Sequence, residues 1–387
     1  MDSSHVQNAG KRSYRMQNKD NSQYNLSKED KRQVLHAGVD LDADSPTFAL
    51  INDKVTEIKN TTQEGLVLLT LHKAREKYDW VHELEWKLVP KDKDEITKEA
   101  YENDADGYFI YVPKGVKLEM PVQACFFIKL GGFRQSVHNL IVVDEGASLH
   151  VTNGCAVASY LDNGAHLGIT EIYVRKGGYL TYTMIHNWAE GIEVRPRTGV
   201  KVEENGIFIS NYISLRKAHL VQTSPVAYLD GKGAKVQFNS VVYAPKGAYY
   251  DVGAEVKLRA PETAAEIQSR SVSEGGIVVA RGVLEALSPG VKGHLSCDGL
   301  MLKEHGKIRA VPELISHVQD ASLTHEAAVG RISDEELFYL MTRGLSPNEA
   351  TSLIVKGFLS IKIPSIPDTI QKSIDQTVQL LQTEDAL

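Results

Sequence analysis

The chain has 387 residues, 42% of them hydrophobic and 24% charged, which is enough to bury a core across two or three domains. Its 43 Lys and Arg against 50 Asp and Glu leave a formal charge of −7, which argues against a chain-wide basic footprint for nucleic acid. No apolar run approaches the roughly 18–20 residues of a membrane helix, the polar first 28 residues carry no signal-peptide core, and three cysteines (Cys125, Cys155, Cys297) are too few for a disulfide framework. These features lead us to expect a soluble, cytoplasmic protein with neither nucleic acid nor membrane as a partner.

Residues 1–28 have few aliphatic side chains and are expected to form a flexible tail. A mixed α/β region is expected over 29–103. In it Ser27-Lys-Glu-Asp30 opens a short helix, Gly65 to Leu71 reads as a strand, and the charged stretch Lys91 to Asp106 reads as surface. From 104 to 312 the texture is that of a β domain. Short runs of strand composition recur, such as Tyr108-Phe-Ile-Tyr-Val112, Leu140-Ile-Val-Val143 and Ile277-Val-Val279. Gly115, Gly146 and Gly177 each close a polar turn after such a run, at intervals of 31 residues, and Gly247 repeats the cadence. Self-similarity of this kind fits a stacked β coil, while a sandwich or barrel of meandering strands fits the same pattern.

A helical domain is expected over 313–387. Ser333-Asp-Glu-Glu336 reads as a capping box ahead of Leu337, Leu340 and Met341. Ser346-Pro-Asn-Glu349 repeats it, with Pro347 at the first helical position and Leu353, Ile354 and Phe358 behind. Gly344 reads as the C-cap between the two helices. Beyond Pro364 and Pro367, the residues Ile370, Ile374, Val378 and Leu381 mark a last amphipathic helix.

The chain holds no G-x-x-x-x-G-K-[ST] loop, so it is not expected to be an ATPase itself, and G-x-S-x-G, H-E-x-x-H and EF-hand patterns are absent as well. Histidines are mostly scattered, and His72, His82, His166 and His219 read as structural or surface residues. Two constellations carry metal-ligand chemistry: Gly293-His294-Leu-Ser-Cys297-Asp298 and Thr324-His325-Glu326-Ala327. Thiolate, imidazole and carboxylate are the side chains that hold iron or zinc. The plainer readings are a buried core cysteine and a surface His-Glu turn. Cys125, among Val-Gln-Ala and Phe-Phe-Ile, reads as a packed strand residue. Cys155 follows Asn153-Gly154, read as a strand end whose glycine corner leaves the thiol more accessible.

An ordered set of motifs resembles the SufB/SufD family of iron–sulfur cluster assembly scaffolds. It comprises Gly107-Tyr-Phe-Ile-Tyr-Val-Pro-Lys-Gly-Val116, Asp144-Glu-Gly-Ala147 leading to Gly154-Cys155, His186-Asn-Trp188, Cys297-Asp298, His325-Glu326-Ala327, and Ile332 to Gly344. The resemblance implies a mainly β fold: a right-handed parallel β-helix core, an N-terminal α/β region and a C-terminal helical domain that docks an ABC-type ATPase (SufC-like). ATP would then enter only through that partner. It further implies a second copy or a SufB/SufD homologue as dimer partner, a sulfur donor, and apo iron–sulfur acceptor proteins. Cys155 matches the SufB sulfur-accepting cysteine, Cys297 the assembly-site cysteine, and His325 and Glu326 the pair beside it, where SufD-like chains have His-Gly. The chain therefore reads as closer to SufB, and as a compact, archaeal-type member, and its expected cargo is a transient iron–sulfur cluster.

Some positions depart from the SufB pattern. Ala156-Val157 stands where SufB has Thr/Ser-Ala-Pro, Thr324 where many have an acidic residue, and His186 where glutamine is usual. Iron–sulfur clusters favour thiolates, and one chain offers only three cysteines. The cluster is therefore expected to use mixed ligands or to be shared across a two-fold interface, with an accessible Cys297 thiol of lowered pKa. The alternatives are a non-catalytic SufD-like partner and, from another class, a β-helix carbohydrate-active protein.

Overall fold

The structure is a computed structural model and is described over residues 24–59 and 65–359. Most of the expected tail (residues 1–23) and the expected last helix around Ile370 to Leu381 lie outside the described residues. The N-terminal region holds helix α1 (Lys28–His36), strands β1 (Thr47–Ile51), β2 (Lys54–Lys59) and β3 (Val67–Thr70), and helices α2 (Leu71–Lys77) and α3 (Glu95–Glu102). The strands that follow are β4 (Tyr108–Val112), β5 (Val122–Ile128), β6 (Arg134–Val143), β7 (Ser148–Val157), β8 (Gly164–Val174), β9 (Tyr179–Asn187), β10 (Ile192–Val194), β11 (Arg197–Val202) and β12 (Ile207–Ser214). They continue as β13 (Leu220–Thr223), β14 (Val226–Leu229), β15 (Lys235–Pro245), β16 (Tyr249–Leu258), β17 (Ala264–Glu274), β18 (Ile277–Ala286), β19 (Val291–Met301), β20 (Lys307–Ser316) and β21 (Ala321–Arg331). Helices α4 (Asp334–Thr342) and α5 (Pro347–Leu359) close the described chain.

The strands wind into a parallel β-solenoid of about eight coils. One sheet runs β5-β7-β9-β12-β15-β17-β19-β21, and the opposing sheet takes the intervening strands. The stacked coil is therefore the architecture, rather than a sandwich of meanders. Its corners explain the glycine cadence. Gly115, Gly146, Gly177, Asn205, Gly233, Glu262 and Gly290 all hold positive φ, between 53° and 75°. This left-handed corner turns the chain without breaking the ladder: the Gly146 amide, for example, donates to the Lys176 carbonyl one coil on, at 2.9 Å. Inside, alternate residues of both sheets form one continuous apolar core, in which Leu295 fills the space a side chain at Gly282 would need.

The N-terminal region clothes the outside of the first coils. The Ser27 capping box starts α1 as expected, and Val34, Ala37 and Val39 cover Cys125, Phe127 and Ala156. The stretch Lys91 to Asp106 is more than charged surface. Asp94 caps α3, whose Ile96 and Ala100 pack on Leu167 and Ile169 of β8. Apolar residues four apart are too few there to stand out among the charges.

At the other end the β structure runs on to Arg331, so the helices begin at Asp334 instead of near residue 313. Pro312 and Glu313 look like breakers, yet they lie in β20, which among the described strands pairs with β18 alone. An edge strand tolerates a missing amide donor. Ser333 and Ser346 cap α4 and α5, and Gly344 turns the chain between them at φ 97°. Helix α5 buries Val355 and Leu359 against Ile213, Val241 and Val272 on the solenoid's outer face. Helix α4 leaves Phe338 and Tyr339 68% and 57% exposed. Among the described residues no helix is long and apolar enough to cross a membrane.

Candidate functional site

Cys155 lies two residues before the end of β7, facing the interior, and is fully buried. The expected accessible corner is not there. Gly154 is instead a close-approach glycine, packed under the Ala37 carbonyl and Val39. Burial pushes the Cys155 thiol well above its usual range, and the Asn153 amide donating to Sγ at 3.2 Å opposes that shift. His166 of β8 brings Nε2 to 4.0 Å from Sγ. Its Nδ1 lies 2.9 Å from Gln135 Oε1, and the Gln135 amide group donates in turn to the Asn52 carbonyl at 2.8 Å. Phe126 and Trp188 pack on the imidazole with centroids 5.6 and 5.3 Å away. Burial holds His166 at about 4, so the ring is neutral at rest. In the sequence His166 reads as one of several scattered histidines. The signal that finds it is the 31-residue coil period, which stacks His166 on Gln135 in register. Cys125 is buried in the apolar cluster under α1, with its thiol pushed up to about 12, as a packing residue should be.

Cys297 lies on β19 and also faces the interior, 2% exposed. The accessible, acidified thiol expected there is not observed. Burial, with the Asp298 carboxylate beside it, pushes Cys297 up to about 11. His325 and Glu326 belong to β21, the last strand, and not to a turn. The register pairs Leu295 with His325 and Ser296 with Glu326. Alternation therefore gives His325 the face of Leu323 and Cys297, and Glu326 the outer face. On that outer face Glu326 Oε1 is 3.7 Å from His294 Nε2, and His294 Nδ1 is 2.9 Å from Thr324 Oγ1. Among the described residues no three His, Cys, Asp or Glu side chains converge to hold a metal. The donors flank both sides of the edge of β21, which no other described strand pairs.

A row of interior side chains runs from the strand of Cys155 to Cys297. From Asn153, two residues before Cys155 on its strand, the register runs through Met184, Tyr212, Ser240 and Ser269 to Cys297. At ~4.8 Å per strand step the row is about 24 Å long. Met184, Tyr212, Ser240 and Ser269 line an interior cavity of about 40 Å³, room for a few water-sized groups. Ser269 Oγ in the row, and Ser271 Oγ, His186 Nε2 and Trp188 Nε1 beside it, are buried without a hydrogen-bond partner among the described residues. Unpaired buried polar groups are costly in an apolar core, so these four atoms mark this stretch of the otherwise apolar interior.

Comparison with known proteins places this architecture. Residues 126–358 match the family described as SUF system FeS cluster assembly, SufBD core domain, and residues 12–124 match the SufBD protein N-terminal region. An iron–sulfur cluster assembly SufBD family protein of Archaeoglobus fulgidus is 43% identical over 356 residues, covering 92% of this chain and 96% of that protein. Another, from Methanothermobacter thermautotrophicus, is 38% identical over 349 residues, covering 88% and 85%. The iron–sulfur cluster assembly protein SufB of Bacillus subtilis is 35% identical over 312 residues, covering 79% and 66%. The chain belongs to the SufBD family of iron–sulfur cluster assembly proteins.

Proposed function

We propose that the chain is the SufB-like scaffold subunit of a SUF-type assembly complex, taking up sulfur at Cys155 and building an iron–sulfur cluster, its cargo, at Cys297 and His325 with Glu326. The observation that carries this reading is the in-register interior row from the strand of Cys155 to Cys297, with unpaired buried polar atoms on it and beside it. A partner subunit with no cluster role has no need of two interior thiols in one solenoid core. Among the described residues the donors at β21 do not complete a metal site, which fits a cluster closed by a second copy, or a homologue, across that edge. The exposed Phe338, Tyr339 and Met341 of α4 suit docking of an ABC-type ATPase, which would supply the ATP hydrolysis. Sulfur donor and apo acceptor proteins complete the set of partners.

The test is anaerobic reconstitution with ferrous iron and sulfide, followed by visible absorption and iron counting. The parental chain is expected to bind cluster as a dimer, and Cys297→Ala, His325→Ala and Glu326→Ala to bind less. If the Cys297→Ala and Glu326→Ala chains bind as much iron and sulfide as the parent and still transfer it, the site assignment is wrong. The SufD-like reading then stands in its place.

A further inference from the structure

The geometry points to His166 as the base that takes the Cys155 thiol proton, with Gln135 as the residue that fixes which imidazole nitrogen is free to do so. The inference rests on the proposal that Cys155 accepts sulfur, and deepens it.

The tautomer follows from the hydrogen bonds. Gln135 Nε2 donates to the Asn52 carbonyl at 2.8 Å and toward the Phe127 carbonyl at 3.4 Å. With its amide nitrogen so engaged, Gln135 must present Oε1 to His166, 2.9 Å from Nδ1. An amide oxygen only accepts, so the imidazole proton is on Nδ1. The lone pair is then on Nε2, the atom that faces Cys155 Sγ at 4.0 Å. Space is kept for that nitrogen: a Cβ on Gly168 would come within 3.1 Å of it. Phe126 and Trp188 fix the ring plane, and Asn153 Nδ2 donates to Sγ, which stabilises the thiolate once formed. The arrangement of nucleophile, base and base-orienting group is that of an activated cysteine.

The step balances without an oxidant. A hydropersulfide donor presents its terminal sulfur to Sγ while the Cys155 proton moves to His166 Nε2. The new bond joins Sγ to that sulfur, and the donor's S–S bond breaks. The donor departs as a thiolate and is reprotonated from His166. The net change is Cys155–SH plus donor–SSH to Cys155–SSH plus donor–SH. The neutral thiol and neutral imidazole of the resting site match this cycle, because each carries charge only during the transfer.

The other titratable groups around the site are Cys125, Tyr108, Tyr182, Tyr212 and His186. Burial raises the thiol and the three phenols and lowers His186, so none of them titrates between pH 6 and 9.

The experiment uses the full chain with Cys125→Ala and Cys297→Ala, which leaves Cys155 as the sole thiol. The rate of Cys155 modification by methyl methanethiosulfonate is followed from pH 6 to 9, and sulfane loading from inorganic disulfide is read by mass as the gain of one sulfur atom. With His166 in place the rate is expected to be nearly flat with pH. His166→Phe keeps a packed ring, and His166→Gln keeps a polar side chain. Both are expected to react on the order of 100-fold more slowly at pH 7 and to regain rate about tenfold per pH unit as free thiolate forms. Gln135→Leu, which releases the tautomer, is expected to fall between. Parental rate and parental pH profile in both His166 variants, with their folds intact by near-UV circular dichroism, would overturn the inference. So would a Cys155 that does not react in the native parent. A parent that reacts rapidly and His166-dependently but takes no sulfur from disulfide keeps the base and overturns the sulfur-accepting role of Cys155.

Discussion

Gly154 lies directly beneath Ala37: a Cβ on Gly154 would sit 2.6 Å from the Ala37 carbonyl oxygen and 2.6 Å from Val39 Cγ2. This contact seats the N-terminal helix on β7 and seals the coil that holds Cys155. Gly154→Ala is expected to destabilise by ~1–3 kcal/mol, the usual range for overpacking against backbone. Urea unfolding should show a lower midpoint at unchanged slope. An unaltered midpoint would mean that α1 is not held there.

Stability should fall with acid through the interior histidines. Burial lowers His166 to about 4 from 6.5 and shifts His186 the same way. Above pH 6.5 the ring is neutral in both folded and unfolded chains and contributes no pH dependence. Between 6.5 and 4 the unfolded chain binds a proton that the native site refuses, so stability decreases as pH falls. For His166 the loss by pH 5 is about 2 kcal/mol, at 1.4 kcal/mol per pKa unit. Cys155, Tyr108, Tyr182 and Tyr212 face the same space and stay neutral there. His166→Phe should therefore lose less stability between pH 7 and 5 than the parent, measured by urea midpoints at both values. Parallel losses would place the acid sensitivity elsewhere.

Phe338 and Tyr339 are exposed and contribute little to the fold. The double change Phe338→Ala, Tyr339→Ala should leave stability within about 0.5 kcal/mol and weaken binding of the ABC-type ATPase at least tenfold by calorimetry. Undiminished binding would mean that these helices serve only to cover the solenoid.

The cysteines should separate by environment. Cys125→Ala removes a packing atom and is expected to leave cluster assembly intact, since its neighbours are Val34, Ala49 and Phe127. Cys155→Ala should abolish sulfur uptake while leaving iron binding at Cys297 measurable. Equal loss of assembly in both variants, scored by transfer to an apo acceptor, would show that Cys125 has a role beyond packing.

Much of the architecture is legible in the chain itself. The 31-residue spacing of Gly115, Gly146 and Gly177 records a corner that only a left-handed residue turns easily. The capping residues Ser27, Ser333 and Ser346 each satisfy the backbone amides they precede. These signals are local, because a turn or a cap is decided by a few adjacent residues. The α3 helix and the strands beyond Pro312 are less legible, since they are stabilised by what they pack on: Leu167 and Ile169 in one case, the β18 and β19 ladders in the other.

The site divides along the same line. The residue types and the order of the family motifs mark Cys155, Cys297, His325 and Glu326 as candidate chemistry-bearing positions. Only the tertiary structure decides which way they face and what they meet. Alternation along β21 separates His325 from Glu326 across one strand. Burial raises both thiols that spacing alone left open. Stacking of one coil on the next brings His166 to Cys155 and Gln135 to His166. A side chain's neighbours in a solenoid lie about 30 residues away in sequence. Its chemistry is therefore written locally, while its environment is set by the register of the coil above and the coil below.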